Sequence, residues 1–255
     1  MIPHYKVSGQ PEGQPVILSH GLATDLSMWD AIVPQLETQF RVIRYDTRGH
    51  GATPPNGDCY TLADLVGDVI ALMDHLSIAR ADFVGLSMGG MIGMGLGLEH
   101  SERLRRLVVC DARADAPEAY REAWKTRISA VRAGGMAAIS GPTVDRWFTD
   151  AFKKDPASVA AMRGLVESTT IDGYVGCARA LKELDYKRRL NGLAVPVLYL
   201  VGDQDAGAPP PEMREMQRLT PGARFEEIDR AGHISVVEQP AMASTIISDF
   251  LSVKT

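Results

Sequence analysis

The chain is 255 residues long, 45% hydrophobic and 23% charged, with a formal net charge of −5. That length fits one α/β domain carrying an insertion better than two independent domains, and the mild acidity argues against nucleic acid or an anionic membrane surface as a partner. No apolar stretch approaches the ~20 residues of a membrane span, and the three cysteines, Cys59, Cys110 and Cys177, match neither a disulfide framework nor a metal-ligand spacing.

Met1 leads into Pro3-His4-Tyr5 without the apolar centre of a secretory leader, so a reduced, cytoplasmic setting is expected. Residues 15–19, Pro-Val-Ile-Leu-Ser, read as a buried strand, followed by a helix over 26–37 and a second strand over 41–45. A helix over 61–76 opens with Thr61 and Asp64 at capping-box spacing. Strand 81–86, helix 88–100 and strand 104–110 follow; Cys110 closes that last run as a core residue. Near the other end lie strand 195–201, helix 211–219, a weaker strand over 224–228 and helix 241–253. Near-continuous apolar runs separated by helix-length segments predict a mostly parallel sheet covered on both faces.

The alternation fails between residues 113 and 191, where the patterns are helical: 116–134, 143–152, 156–168 and 172–184. This stretch reads as a helical cap inserted into a core made of 1–112 and 192–255, set over the sheet's carboxyl edge, where ligands of open α/β sheets bind.

Residues Gly85-Leu86-Ser87-Met88-Gly89 give a Gly-x-Ser-x-Gly pattern between a strand and a helix, the context a nucleophile elbow requires. Gly85 and Gly89 leave room for a strained turn that lifts the Ser87 hydroxyl out of the sheet. The following helix start aims the Met88 amide at an incoming carbonyl oxygen. Met88, Met91 and Met94 recur at helical spacing and read as core.

A serine nucleophile needs a base, and the base needs an orienting acid. On this topology the order is Ser, acid, His, each in a loop after a strand. Strand 195–201 runs into Gly202-Asp203-Gln204-Asp205, and the last strand is followed by Asp229-Arg230-Ala231-Gly232-His233. His233 is the base; Asp205 is the preferred acid, with Asp203 a turn former beside Gly202. A second oxyanion amide is expected from Leu22, after Ser19-His20-Gly21. His20 reads as a loop holder, and Asp46-Thr47-Arg48-Gly49-His50-Gly51 as a polar turn fixed by Asp46 and Arg48.

The chain resembles the α/β-hydrolase superfamily, and within it the 3-oxoadipate enol-lactonase group. The resemblance rests on Leu26-Ser27-Met28-Trp29-Asp30, on the block from Phe40 through Arg44-Tyr45-Asp46-Thr47-Arg48-Gly49-His50-Gly51-Ala52, on Gly85-Leu86-Ser87-Met88-Gly89-Gly90, on Glu102-Arg103-Leu104-Arg105-Arg106-Leu107-Val108 and on Trp124-Lys125-Thr126-Arg127-Ile128. It implies an α/β-hydrolase fold, a mostly parallel sheet flanked by helices with a helical cap. It also implies Ser87, Asp205 and His233 as catalytic residues and Leu22 and Met88 as oxyanion amides. The implied reaction is hydrolysis of a small ester or lactone through an acyl-enzyme, with no metal or organic cofactor. A broad carboxylesterase, an acyl-homoserine-lactone lactonase, a cofactor-free perhydrolase, a carbon–carbon bond hydrolase or a triad-bearing small-molecule receptor are the alternatives. At Ser19-His20-Gly21 and at Asp111-Ala112-Arg113 the chain departs from the subgroup's usual residues.

The cap is expected to set substrate choice. Trp124 and Trp147 are its large aromatics, and Arg127 follows Trp124 by three residues on one helical face. Arg127 either meets a substrate carboxylate or pairs on the surface with Glu118 or Glu122; Arg113 is a weaker candidate of the same kind.

Overall fold

The computed structural model describes residues 1–253. Seven strands form one sheet: β1 (Tyr5–Gly9), β2 (Gln14–Ser19), β3 (Phe40–Tyr45), β4 (Ala81–Leu86), β5 (Leu104–Cys110), β6 (Val197–Gly202) and β7 (Arg224–Ile228). Their spatial order is β1-β3-β2-β4-β5-β6-β7. All neighbours run parallel except β1, which pairs antiparallel with β3. In register, Ile17 of β2 lies between Ile43 and Phe83, and Val108 of β5 between Val84 and Leu198. Every residue of β4 and β6 is buried, as expected of strands covered on both faces. The edge strand β1 is half-exposed along its length and was not anticipated, because its residues Tyr-Lys-Val-Ser-Gly carry no apolar run.

Ten α-helices accompany the strands among the described residues. In the core these are α1 (Val33–Leu36), α2 (Leu62–His75), α3 (Met88–Glu99), α8 (Pro210–Leu219), α9 (Ser235–Glu238) and α10 (Pro240–Ser252). The capping box at the start of α2 forms: Thr61 Oγ1 accepts the Asp64 amide and Asp64 accepts the Thr61 amide. The single helix expected over 26–37 does not form. A 3-10 turn, Leu26–Trp29, is capped by Asp25, and α1 starts afresh with Pro34 in its first turn. Pro34 has no N–H to extend a ladder from the preceding turn, so the chain closes one turn and begins another.

Between β5 and β6 run α4 (Glu118–Gly134), α5 (Ala137–Trp147), α6 (Pro156–Ser168) and α7 (Ile171–Lys182). The helix expected over 143–152 starts earlier and ends earlier. Pro142 lies inside α5 instead of preceding it, and the chain turns extended at Phe148. The insertion is tied to the core at α7. Thr170 donates from its amide and its hydroxyl to the Gly49 carbonyl, at 3.1 and 2.9 Å. There Gly49, at φ 77°, and Gly173 lie backbone to backbone, with no room for a Cβ on either. Asp58 adds ion pairs to Arg132 of α4 and Arg179 of α7, at 2.6 and 2.9 Å. No helix of the described chain is long and apolar enough to cross a membrane.

Candidate active site

Ser87 occupies the single residue between β4 and α3. Its backbone sits at φ 53°, ψ −112°, a conformation that costs an L-residue energy and persists only where the surroundings enforce it. Two bonds enforce it here: Ser87 N–H donates to the Cys110 carbonyl at 2.8 Å, and Met91 N–H to the Ser87 carbonyl at 3.0 Å. The turn is possible because Gly89 packs against β2; a Cβ there would run into the Ser19 carbonyl.

Three side chains converge at this turn. His233 Nε2 lies 2.9 Å from Ser87 Oγ, and His233 Nδ1 lies 2.9 and 3.0 Å from the two carboxylate oxygens of Asp205. Asp205 is buried and also accepts the Gly207 and Ala208 amides, at 2.6 and 3.0 Å. An acceptor on Nδ1 fixes the tautomer that leaves Nε2 free to accept the serine proton. Asp203 turns away instead and accepts the Ala231 amide at 3.0 Å, joining the acid loop to the histidine loop.

A second buried carboxyl stands beside Asp205. Asp111, at the end of β5 with φ 48°, accepts from Gly202 N–H at 2.8 Å and from the Ser235 hydroxyl at 2.5 Å. Burial, and then the Asp205 charge, push its pKa well above the usual carboxylate range. It links the strand end before Asp205 to the segment after His233.

Among the described residues, the segment 21–24 presents one free amide. The Gly21 N–H donates weakly to Met28 Sδ at 3.5 Å, Ala23 N–H to His50 Nε2 at 3.1 Å and Thr24 N–H to the Gly21 carbonyl at 3.3 Å. Among the described residues the Leu22 N–H has no acceptor. The Gly21 carbonyl also receives His20 Nδ1–H at 2.7 Å and the Thr24 hydroxyl at 2.8 Å. In a trans peptide the carbonyl and the next N–H point opposite ways, so fixing the Gly21 oxygen fixes the direction of the Leu22 N–H. Met88 begins α3, where its N–H has no partner within the helix.

These groups open into a cavity of about 390 Å³, lined by Leu22, Ser87 and His233 on one side and by Trp124, Arg127 and Trp147 on the other. Both tryptophans are buried. Arg127 stacks on Trp124 with its guanidinium carbon 4.7 Å from the ring centroid and pairs with neither Glu118 nor Glu122. Arg113 reaches the cavity too, but is neutralised by Glu212 at 2.6 Å. The sequence reading missed Arg146, on α5 beside Trp147. It lines the cavity, and burial, then the nearby Arg127 charge, bring its pKa down to about 10. Neither Arg127 nor Arg146 has an acidic partner within ion-pair distance among the described residues. Only its adjacency to Trp147 hinted at Arg146, since α5 was placed out of register.

An alpha/beta hydrolase family model matches residues 16–243. The chain belongs to that family. Curated relatives include 3-oxoadipate enol-lactonase 2 of Acinetobacter baylyi, 37% identical over 93% of this chain and 88% of the relative. 3-Oxoadipate enol-lactonase 1 of the same organism is 33% identical over 96% of this chain and 91% of the relative. Among solved structures, the enol-lactonase of Burkholderia xenovorans superposes with a TM-score of 0.92 at 38% identity, covering 98% of this chain and 96% of that one. A thermophilic esterase of Thermogutta terrifontis superposes with a TM-score of 0.91 at 32% identity, over 97% and 92% of the two chains. As a member of this family, the chain has the expected α/β-hydrolase architecture along nearly its whole length.

Proposed function

We propose that the chain is a serine hydrolase that opens a small lactone or ester bearing a carboxylate, with 3-oxoadipate enol-lactone as its substrate. The observation that carries this reading is the hydrogen-bonded Ser87–His233–Asp205 chain opening into a cavity whose far wall holds two arginines without acidic partners. The names of the relatives at 33 to 38% identity support the same substrate class.

In the reaction, His233 Nε2 takes the Ser87 proton as Oγ bonds to the lactone carbonyl carbon. The oxyanion is met by the amides of Leu22 and Met88; each such donor is worth about 10²–10³ in rate. Asp205 holds the Nδ1–H tautomer and stabilises the imidazolium. Collapse breaks the ring carbon–oxygen bond, and the imidazolium returns its proton to the leaving enolate, which becomes a ketone. Water then attacks the acyl-enzyme, its proton passing to His233, and Ser87 leaves with that proton. Residues 113–191 act as the cap that selects the substrate, Trp124 and Trp147 packing its carbon chain while Arg127 and Arg146 hold its carboxylate by charge-assisted hydrogen bonds.

The test is steady-state hydrolysis of 3-oxoadipate enol-lactone by the wild type and by Ser87→Ala. A kcat/KM of about 10⁴–10⁸ M⁻¹s⁻¹, abolished by the substitution, is the expected result. Ser87-dependent turnover of simple esters with only traces on the lactone keeps the chemistry and overturns the substrate, the outcome toward which the esterase relative points. No turnover of either overturns the enzyme reading in favour of a receptor.

A further inference from the structure

One carboxylate fastens the histidine loop to the helical insertion. Glu238 of α9 accepts the Gly232 amide on Oε2 at 3.1 Å and the Thr149 amide on Oε1 at 2.7 Å. Beside it, the His233 N–H donates to the Trp147 carbonyl at 2.7 Å. Three hydrogen bonds thus hold residues 147–149, at the end of α5, against residues 232–233.

The core holds the same loop elsewhere. Asp203 accepts the Ala231 amide, Gln204 N–H donates to the Ala231 carbonyl, and Asp111 accepts the Ser235 hydroxyl. Among the described residues, the amides of Gly232 and His233 themselves bond only to Glu238 and to the Trp147 carbonyl. The backbone that carries the imidazole is therefore located from the side of α5, whose last turn also places Arg146 and Trp147 in the cavity.

We infer that Glu238 is a positioning residue: by clamping the amides of Gly232 and Thr149 it makes the end of α5 and His233 one body, so that the cavity wall sets where the imidazole stands over Ser87. The inference rests on His233 being the base of the proposed hydrolysis. It means that the α5 end of the insertion is a fixed wall, since lifting it would carry the imidazole away from Ser87. Small displacements of a reacting group cost large factors in rate.

The experiment compares p-nitrophenyl acetate hydrolysis by the wild type, His233→Ala, Glu238→Ala, Glu238→Gln and Asp58→Ala, with thermal melts of each. This ester is small and uncharged, so it makes no demand on the arginines. Glu238→Ala is expected to lower kcat about 10- to 100-fold, with KM within about twofold of the wild type. Glu238→Gln, which keeps one accepting oxygen, falls between the two and serves where the alanine variant does not fold. Asp58→Ala cuts a different tie of the insertion, to Arg132 and Arg179, and keeps the wild-type kcat. In proton NMR, the downfield Nδ1–H resonance of His233 shifts in the Glu238 variants and stays in place in Asp58→Ala. An unchanged kcat in both Glu238 variants, or an equal fall in Asp58→Ala, overturns the inference while the hydrolase reading stands. Full activity in His233→Ala, or no hydrolysis by the wild type, overturns both.

Discussion

The ring of His50 accepts the Ala23 amide at 3.1 Å, and 5.3 Å away the ring of His20 accepts the Thr47 amide at 2.9 Å. Each ring uses Nε2 as an acceptor, which requires it to be uncharged. Burial, then the His20 ring, lower the His50 pKa to about 3, and burial lowers that of His20 as well. The unfolded chain binds a proton at each histidine near the ordinary histidine value of about 6.5, whereas the folded chain resists it. Their stabilising contribution is therefore complete above pH 6.5 and is lost progressively as the pH falls toward about 3. Urea unfolding at pH 7 and at about pH 4.5 should show a lower midpoint at the acid pH. His50→Gln, which keeps an acceptor but no titration, should flatten that dependence.

Arg146→Met should separate charged from uncharged substrates. Removing one charge-assisted hydrogen bond costs about 1.5–3 kcal/mol, or roughly 10- to 100-fold in binding. The expected readout is a KM for the carboxylate-bearing lactone raised by that factor, with kcat close to wild type. For p-nitrophenyl acetate neither constant should change by more than about twofold.

Gly89→Ala should damage the fold and not only the site. The added methyl meets the Ser19 carbonyl of β2, backbone that cannot swing aside as a side chain would. Overpacking of this kind costs about 1–3 kcal/mol and more where backbone must shift. A fall in the urea midpoint together with loss of hydrolysis is the expected pair of results; wild-type activity in Gly89→Ala would mean that β2 and α3 can separate.

Thr61→Ala offers a contrast. It removes the side-chain half of the capping box and should cost about 1 kcal/mol, read as a lower urea midpoint. Because α2 contributes no residue to the lining of the cavity, kcat/KM should stay at the wild-type value.

The parts of the fold that the sequence exposes are those with uninterrupted patterns. Residues 81–86 are apolar almost throughout because β4 is covered on both faces, and the Gly-x-Ser-x-Gly turn follows at once. β1 shows no such pattern because a half-exposed antiparallel edge needs none. Pro34 and Pro142 stand in opposite relations to their helices, the first restarting one and the second lying inside one. Asp203 and Asp205 are told apart in the sequence by Gly202 beside the first, and the fold turns Asp203 to Ala231 and Asp205 to His233. Glu238 carries no local signal and Arg146 only its place beside Trp147, since their partners are backbone amides and a cavity formed by distant segments.

The contact of Gly49 with Gly173 has a bearing on how such a chain can be re-engineered. Each glycine is the other's mould, so neither segment can accept a side chain while its counterpart stays in place. Transplanting residues 113–191 from a relative with a different selectivity would then succeed only if the donor's counterpart of the polar turn, residues 46–60, travelled with it. With residues 113–191 as the proposed selecting cap, the module to exchange is two stretches of chain far apart in sequence, moved as a pair.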